Sequence, residues 1–235
     1  MSTDHRDLNA TVRDRITNLI LERGLRPGDP MPTEVELCEL MGVSRSSIRE
    51  AMRTLAALDI VEVRHGTGTF VGHLSLEPLV YSIALRSSIS PGESNSALRE
   101  VVSIRQALDL GYAPTICAAL THEAQSTLER LVNEMIELAE RGESFAVPDR
   151  QFHRLLLEHS GNHLMADLVD TFWAVHTQLL NSQNVATREE LVVTAKAHAE
   201  MLQAAQSGDV AAFRKAVNRH YDPLLGLLER SEPES

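Results

Sequence analysis

Cysteine is nearly absent from this chain, with two residues in 235, and aromatic side chains make up only 4%. Cys38 and Cys117 lie far apart and both fall on helical patterns. They read as reduced core residues of a cytoplasmic protein, with a regulatory disulfide as the alternative. Few aromatics means that the cores are aliphatic, and an apolar fraction of 43% is ample to build them. No apolar run reaches the roughly 18 residues of a membrane span. The first residues are polar and of mixed charge, which counts against a signal peptide. There is no repeat of fixed period and no low-complexity stretch. Neither an HExxH pair nor a Cys-rich deaminase signature is present, so common zinc-hydrolase chemistry has no signature here.

What is present is concentrated first in residues 32–71. Thr33 and Glu36 form the S/T-x-x-E capping pattern that marks a helix start. That helix should run to about Met41 with Leu37 and Leu40 inward, and Gly42 breaks it. Ser44 is a natural N-cap for a second helix. The second helix opens with Arg45, Ser46 and Ser47. Arg45 and Arg49 are four residues apart and share a face. Ile48, Met52 and Leu55 occupy the opposite face. A helix apolar behind and rich in donors in front suits the DNA major groove.

After Leu58 the pattern alternates through Ile60, Val61 and Val63, then through Thr69, Phe70 and Val71. Two short strands around a glycine-containing tip make a hairpin. Gly66 and Gly68 supply the backbone angles of the tip and keep it slim. Arg64, His65, Gly66 and Thr67 are its candidate contacts to a minor groove or to phosphates.

A net charge of −11 sits badly with a DNA binder until it is divided by region. Residues 1–74 carry nine Lys and Arg against eleven Asp and Glu, and residues 75–235 carry thirteen against twenty-two. The acidity is mainly in the back of the chain, so an arginine face can act locally in front.

Residues 1–8 read as a mobile arm, followed by a helix from about Asn9 to Arg23 with Val12, Ile16, Leu19 and Ile20 on one face. The expected division is a DNA-binding domain over 1–73, a linker over 74–96 and a helical domain over 97–235. Within the linker, 74–85 could hold a helix and 87–96 reads as a loop. From Ser96 onward every apolar pattern is helical, over 97–119, 122–142, 146–160, 162–182, 187–207 and 209–230. The fold class is therefore mainly α: an N-terminal winged helix-turn-helix with a small β-hairpin, then an all-α antiparallel bundle of about six helices.

The helical half carries a second constellation. Asp149 and His153 are i and i+4 on one helix, and His198 and His220 sit on two later ones. One carboxylate and three imidazoles converging inside a bundle would form a first shell for Zn²⁺, Ni²⁺ or Mn²⁺. His176 is a further histidine of uncertain place. Asn162, after Gly161, reads as a helix cap.

The front segment resembles the GntR family of bacterial winged-helix transcription regulators. The resemblance rests on Pro32-Thr33-Glu34, Gly42-Val43-Ser44-Arg45, Ile48-Arg49-Glu50-Ala51, Leu55 and Gly66-Thr67-Gly68-Thr69-Phe70-Val71. It implies a homodimer on a pseudo-palindromic double-stranded operator, with Arg45 and Arg49 on bases and His65 and Gly66 at the wing tip. Where many members carry an arginine after the Pro-Ser/Ala-Glu triplet, this chain has Val35, which cannot hydrogen-bond guanine. The back half is similar to the FCD effector domain of the FadR subfamily, through the segment from Arg105 to Asp109, Asp149 to His153, Gly161-Asn162, His198 and Gly208-Asp209. That resemblance implies a metal on Asp149, His153, His198 and His220, and an effector carboxylate gripped by Arg105. For Arg105 a surface ion pair with Asp109 is the alternative.

The expected function is a metabolite-responsive transcription regulator, a repressor that releases its operator when a small carboxylate enters the bundle. The competing expectation is a metal-dependent hydrolase with an accessory DNA-binding head. A third has the metal purely structural.

Overall fold

The computed structural model describes residues 3–89, 94–120, 122–158, 161–179 and 186–230. The chain divides into two compact units, Met1–Pro78 and Leu79–Ser235.

The first unit contains α1 (Thr3–Glu22), α2 (Glu34–Met41), α3 (Arg45–Ala57) and the antiparallel strands β1 (Val61–Arg64) and β2 (Gly68–Val71). Helix α1 begins at Thr3, so residues 3–8 extend the helix and the expectation of an arm there is corrected. Met1 and Ser2 lie outside the described residues. Helix α2 starts with the anticipated capping box: the Thr33 hydroxyl accepts from Glu36 N, and Thr33 N donates to the Glu36 carboxylate at 2.7 Å. It stops at Gly42, which takes a left-handed φ of 65°. Ser44 caps α3 by accepting from Ser47 N at 3.2 Å.

Val12, Ile16, Leu37, Ile48, Leu55, Val61 and Val71 fill the core of this unit. Leu40 does not join them. It is 53% exposed, because an eight-residue helix turns only one narrow face inward and Leu37 and Met41 already occupy it. The strands pair Val61 with Val71 and Arg64 with Gly68, leaving His65-Gly66-Thr67 as the tip.

Helix α4 (Glu77–Ile89) spans the boundary between the units. It begins later than the 74–85 helix read from sequence and runs into the stretch expected as loop. Residues 90–93 of that loop lie outside the described residues. The second unit continues with α5 (Ser94–Ala119), α6 (His122–Glu140), α7 (Ala146–Glu158), α8 (His163–Leu179), α9 (Arg188–Ser207) and α10 (Val210–Arg230). These six helices follow the six apolar patterns.

Helices α9 and α10 pack closely along their length across the Gly208-Asp209 turn, so they form an antiparallel hairpin. Helix α9 also packs on α6, α10 on α5, and α7 on α8. The core is aliphatic with few rings: Leu98, Leu128, Met135, Leu157 and Val217 surround Phe152 and Phe213. Inside α5, Pro114 cannot donate to Leu110 O, and Arg214 Nε from α10 lies 3.4 Å from that carbonyl. Cys38 and Cys117 are both free and half-buried.

Candidate nucleic-acid interface and metal centre

Helix α3 presents the donor face anticipated from its sequence. Ile48, Ala51, Met52 and Leu55 are buried, while Arg45, Ser46 and Arg49 are exposed and Ser47 is half-buried. Arg45 makes no ion pair or hydrogen bond among the described residues. Arg49 is held differently: its Nε donates to Glu34 at 2.8 Å. The Ser44 hydroxyl lies 2.8 Å from that of Ser46 and 3.0 Å from that of Ser47, so the start of α3 is a cluster of hydroxyls.

In the hairpin, Arg64 donates to Glu62 at 2.8 Å and its guanidinium stands 4.3 Å over the Phe70 ring. His65, Gly66 and Thr67 are exposed at the tip. Gly66 takes φ 76°, a conformation that a β-carbon disfavours.

In the helical unit, Asp149 and His153 from α7, His198 from α9 and His220 from α10 converge, with one potential ligand atom from each lying within 4.8 Å of all the others. All four are buried or nearly so. His198 donates from Nδ1 to Thr194 O at 2.9 Å and turns Nε2 to Asp149 Oδ1 at 2.8 Å. His153 Nε2 lies 3.6 Å from the same oxygen. Its other nitrogen, Nδ1, lies 3.2 Å from Asp109 Oδ2, off the line of a good hydrogen bond. His220 Nδ1 is buried with no hydrogen-bond partner among the described residues.

Behind these four stands a second layer. Asp109 accepts from the Tyr221 hydroxyl at 2.8 Å, and Asp149 Oδ2 accepts from Trp173 Nε1 at 3.0 Å. Arg105 is 2% exposed, with a guanidinium nitrogen 3.7 Å from Asp149 and another hydrogen-bonded to His176 Nδ1. Asp109 is equally buried, so the surface ion pair weighed for Arg105 and Asp109 is overturned: both turn inward to the centre.

The electrostatics follow from this count of charges. Two buried carboxylates face one guanidinium, so neutral imidazoles would leave an uncompensated negative charge in a dry interior, which is costly. Burial opposes a charged His153, but the carboxylates of Asp109 and Asp149 outweigh it and push its pKa up to about 9. Burial also works to raise Asp149, yet its contacts with His153 and His198 hold it well below the usual carboxylate range. Burial and the neighbouring imidazoles push His220 well down.

His176 is pushed down to about 3 by burial and by Arg105. A guanidinium only donates, so neutral His176 accepts at Nδ1 and carries its proton on Nε2. That N–H and Arg105 Nε are both buried without a partner among the described residues. A cavity of about 480 Å³ opens beside the cluster, with Arg105, Asp149, Trp173, His176, His220 and Tyr221 in its wall.

The structure therefore brings together all four residues singled out as metal ligands, and Arg105 beside them. Asn162 lies outside the cluster: its Oδ1 accepts from Met165 N at 3.3 Å, capping α8 as expected, and its Nδ2 donates to Tyr112. Sequence reasoning gave Asp109 only a place in a surface ion pair, passed over Trp173 and Tyr221 and left His176 open. Asp109 is i+4 from Arg105, and that shared face was the available signal. Nothing in sequence spacing ties Trp173 and His176 to Arg105.

Residues 8–71 match the family model for bacterial regulatory proteins of the gntR family, and residues 100–223 match the FCD domain. A transcriptional regulatory protein of Micromonospora viridifaciens, NedR, is 34% identical over 122 residues, covering 52% of this chain and 87% of its own. The galactonate operon transcriptional repressor of Escherichia coli is 27% identical over 212 residues, covering 87% and 91%. Among solved structures, Streptococcus agalactiae GntR superposes with a TM-score of 0.69 at 27% identity, covering 95% of this chain and all of that one. The relatives are regulators by name, and the hydrolase alternative has no support among them. The chain belongs to the GntR family of bacterial transcription regulators, in the FadR subfamily whose helical half is an FCD domain.

Proposed function

We propose that this regulator is a homodimeric, cytoplasmic repressor that reads a pseudo-palindromic operator through residues 1–73 and senses a small carboxylate through residues 97–235. The carrying observation is the buried Asp149, His153, His198 and His220 group beside an open cavity, in a chain whose other unit presents an exposed arginine face.

Asp149, His153, His198 and His220 would hold a divalent cation of the Zn²⁺, Ni²⁺ or Mn²⁺ type, and the residues present fit one. The buried carboxylate excess calls for positive charge, and a partnerless imidazole nitrogen on His220 offers a lone pair. Such an ion supplies a Lewis-acid contact for an anion. Arg105 grips the carboxylate beside it. Thr194 O fixes the His198 ring with Nε2 turned inward, and Asp109 does the same for His153.

On the DNA side, Arg45 and Arg49 contact base edges and Ser46 and Ser47 the phosphates at the start of α3. Arg64, His65, Gly66 and Thr67 contact the minor groove or backbone. Val35 is 47% exposed and available for a thymine methyl. Effector binds the DNA-free form more tightly than the bound form and so lowers operator affinity. The repressor assignment is supported by a relative of that name.

A duplex enriched from a random-sequence pool by the wild-type protein supplies the test. Fluorescence anisotropy should show Arg45→Ala losing about 100-fold or more in affinity while its melting curve is unchanged. Undiminished affinity in that variant would remove the recognition-helix assignment.

A further inference from the structure

Beyond the four-residue cluster, the cavity has a strong internal asymmetry. Its inner end holds the two partnerless N–H groups of Arg105 and His176. Its outer walls are mainly apolar. Leu224 and Leu227 stand one and two turns beyond His220 on α10, and Leu191 stands two turns before His198 on α9. Because α9 and α10 are antiparallel, these leucines extend the cavity in one direction. At 1.5 Å per residue that is about 10 Å from the imidazoles.

The polar side chains among these walls are already engaged. Thr194 Oγ1 donates to Glu190 O at 3.0 Å, Thr177 Oγ1 donates to Trp173 O at 3.0 Å, and Trp173 Nε1 donates to Asp149. The Ser144 hydroxyl caps Ala146 N at 3.4 Å. A ligand hydroxyl placed there would lose water and gain few donors, which costs affinity.

We infer that the effector is a monocarboxylate with a non-polar body. Its head sits at Arg105 and His176, and its tail of roughly six to eight carbons, or an aryl-alkyl group of similar length, lies along Leu191, Leu224 and Leu227. Polyhydroxylated acids are disfavoured. This rests on the carboxylate reading under Proposed function and sharpens it. His176 then acts as a second donor to the head, fixed in its tautomer by Arg105.

Octanoate and gluconate carry the same charge and differ in the body, so they separate the alternatives. Isothermal titration of the full chain in buffer containing Zn²⁺ should show octanoate binding at least about tenfold more tightly than gluconate. Leu224→Asn should abolish most of that preference, chiefly by weakening octanoate. Leu191→Asn serves the same purpose should the first variant not fold, and the wild-type comparison stands without either.

Gluconate equal to or tighter than octanoate would overturn the inference while leaving a carboxylate effector in place. A preference for octanoate that both leucine variants retain would overturn the placement of the tail. No binding of either acid by Zn²⁺-loaded protein would overturn this inference and the carboxylate reading together.

Discussion

At the scale of single residues, the helical unit is organised around buried charge that must be balanced. Asp109 illustrates how. It is not one of the four proposed ligands, yet it is 2% exposed, accepts from Tyr221 and lies 3.2 Å from His153 Nδ1. A carboxylate there would keep a proton on His153 Nδ1 when Nε2 turns to a cation. Asp109→Asn should weaken Zn²⁺ affinity about 10- to 100-fold in competition against a chromophoric chelator, with helicity retained. Equal affinity in the variant would reduce Asp109 to a packing role.

His176 makes a second case. His176→Phe removes one donor while preserving bulk, so octanoate should bind about tenfold more weakly with Zn²⁺ affinity unaffected. Loss of Zn²⁺ binding instead would place His176 among the ligands. The Asp149 and His153 pair was legible in sequence because i and i+4 share a helix face. The Arg105 to His176 contact was not, since it joins α5 to α8 across 71 positions and only the packing of those helices creates it.

At the scale of elements, boundaries set by local chemistry were the most legible. The Thr33 capping box and the left-handed stops at Gly42 and Gly208 are written into a few adjacent residues. The start of α1 and the exposure of Leu40 were not, because neither follows from a local signal: one depends on how far a helix continues without a cap, the other on which side the rest of the unit packs.

Gly72 marks a contact that no periodicity reveals. Its N–H donates to Ile60 O, and a β-carbon there would come within 2.3 Å of Asp59 O. The following turn is tied to the same place, with Ser75 N on the Asp59 carboxylate at 3.0 Å. Gly72→Ala should therefore destabilise the first unit by about 2 kcal/mol, read as a lower melting temperature. An unchanged melt would show that the chain after β2 can move aside at little cost.

At the scale of the whole molecule, the sequence made the division of labour legible through its charge and its histidines. The arginine face lies in a unit of modest charge and the acidity falls mainly in residues 75–235, so binding to DNA should be local and strongly weakened by salt. A cation in the helical unit would bind the folded chain better than the unfolded one and so raise its stability by mass action. Chelation of the metal-loaded protein should lower the melting temperature of wild type and leave His198→Ala unaffected. The identity of the tail-binding walls was out of reach from sequence, because Leu191, Leu224 and Leu227 look like ordinary core positions until α9 and α10 are seen to leave a cavity between them and α8.

Central to this molecule is a buried Asp149, His153, His198 and His220 centre that we propose holds a cation. The most direct test is elemental analysis of the full chain after equilibration with Zn²⁺ and gel filtration, beside the variant His153→Ala with His198→Ala. About one ion per chain in the wild type and essentially none in the double variant is the expected result. Wild-type protein free of metal, or a double variant that keeps its ion, would contradict it.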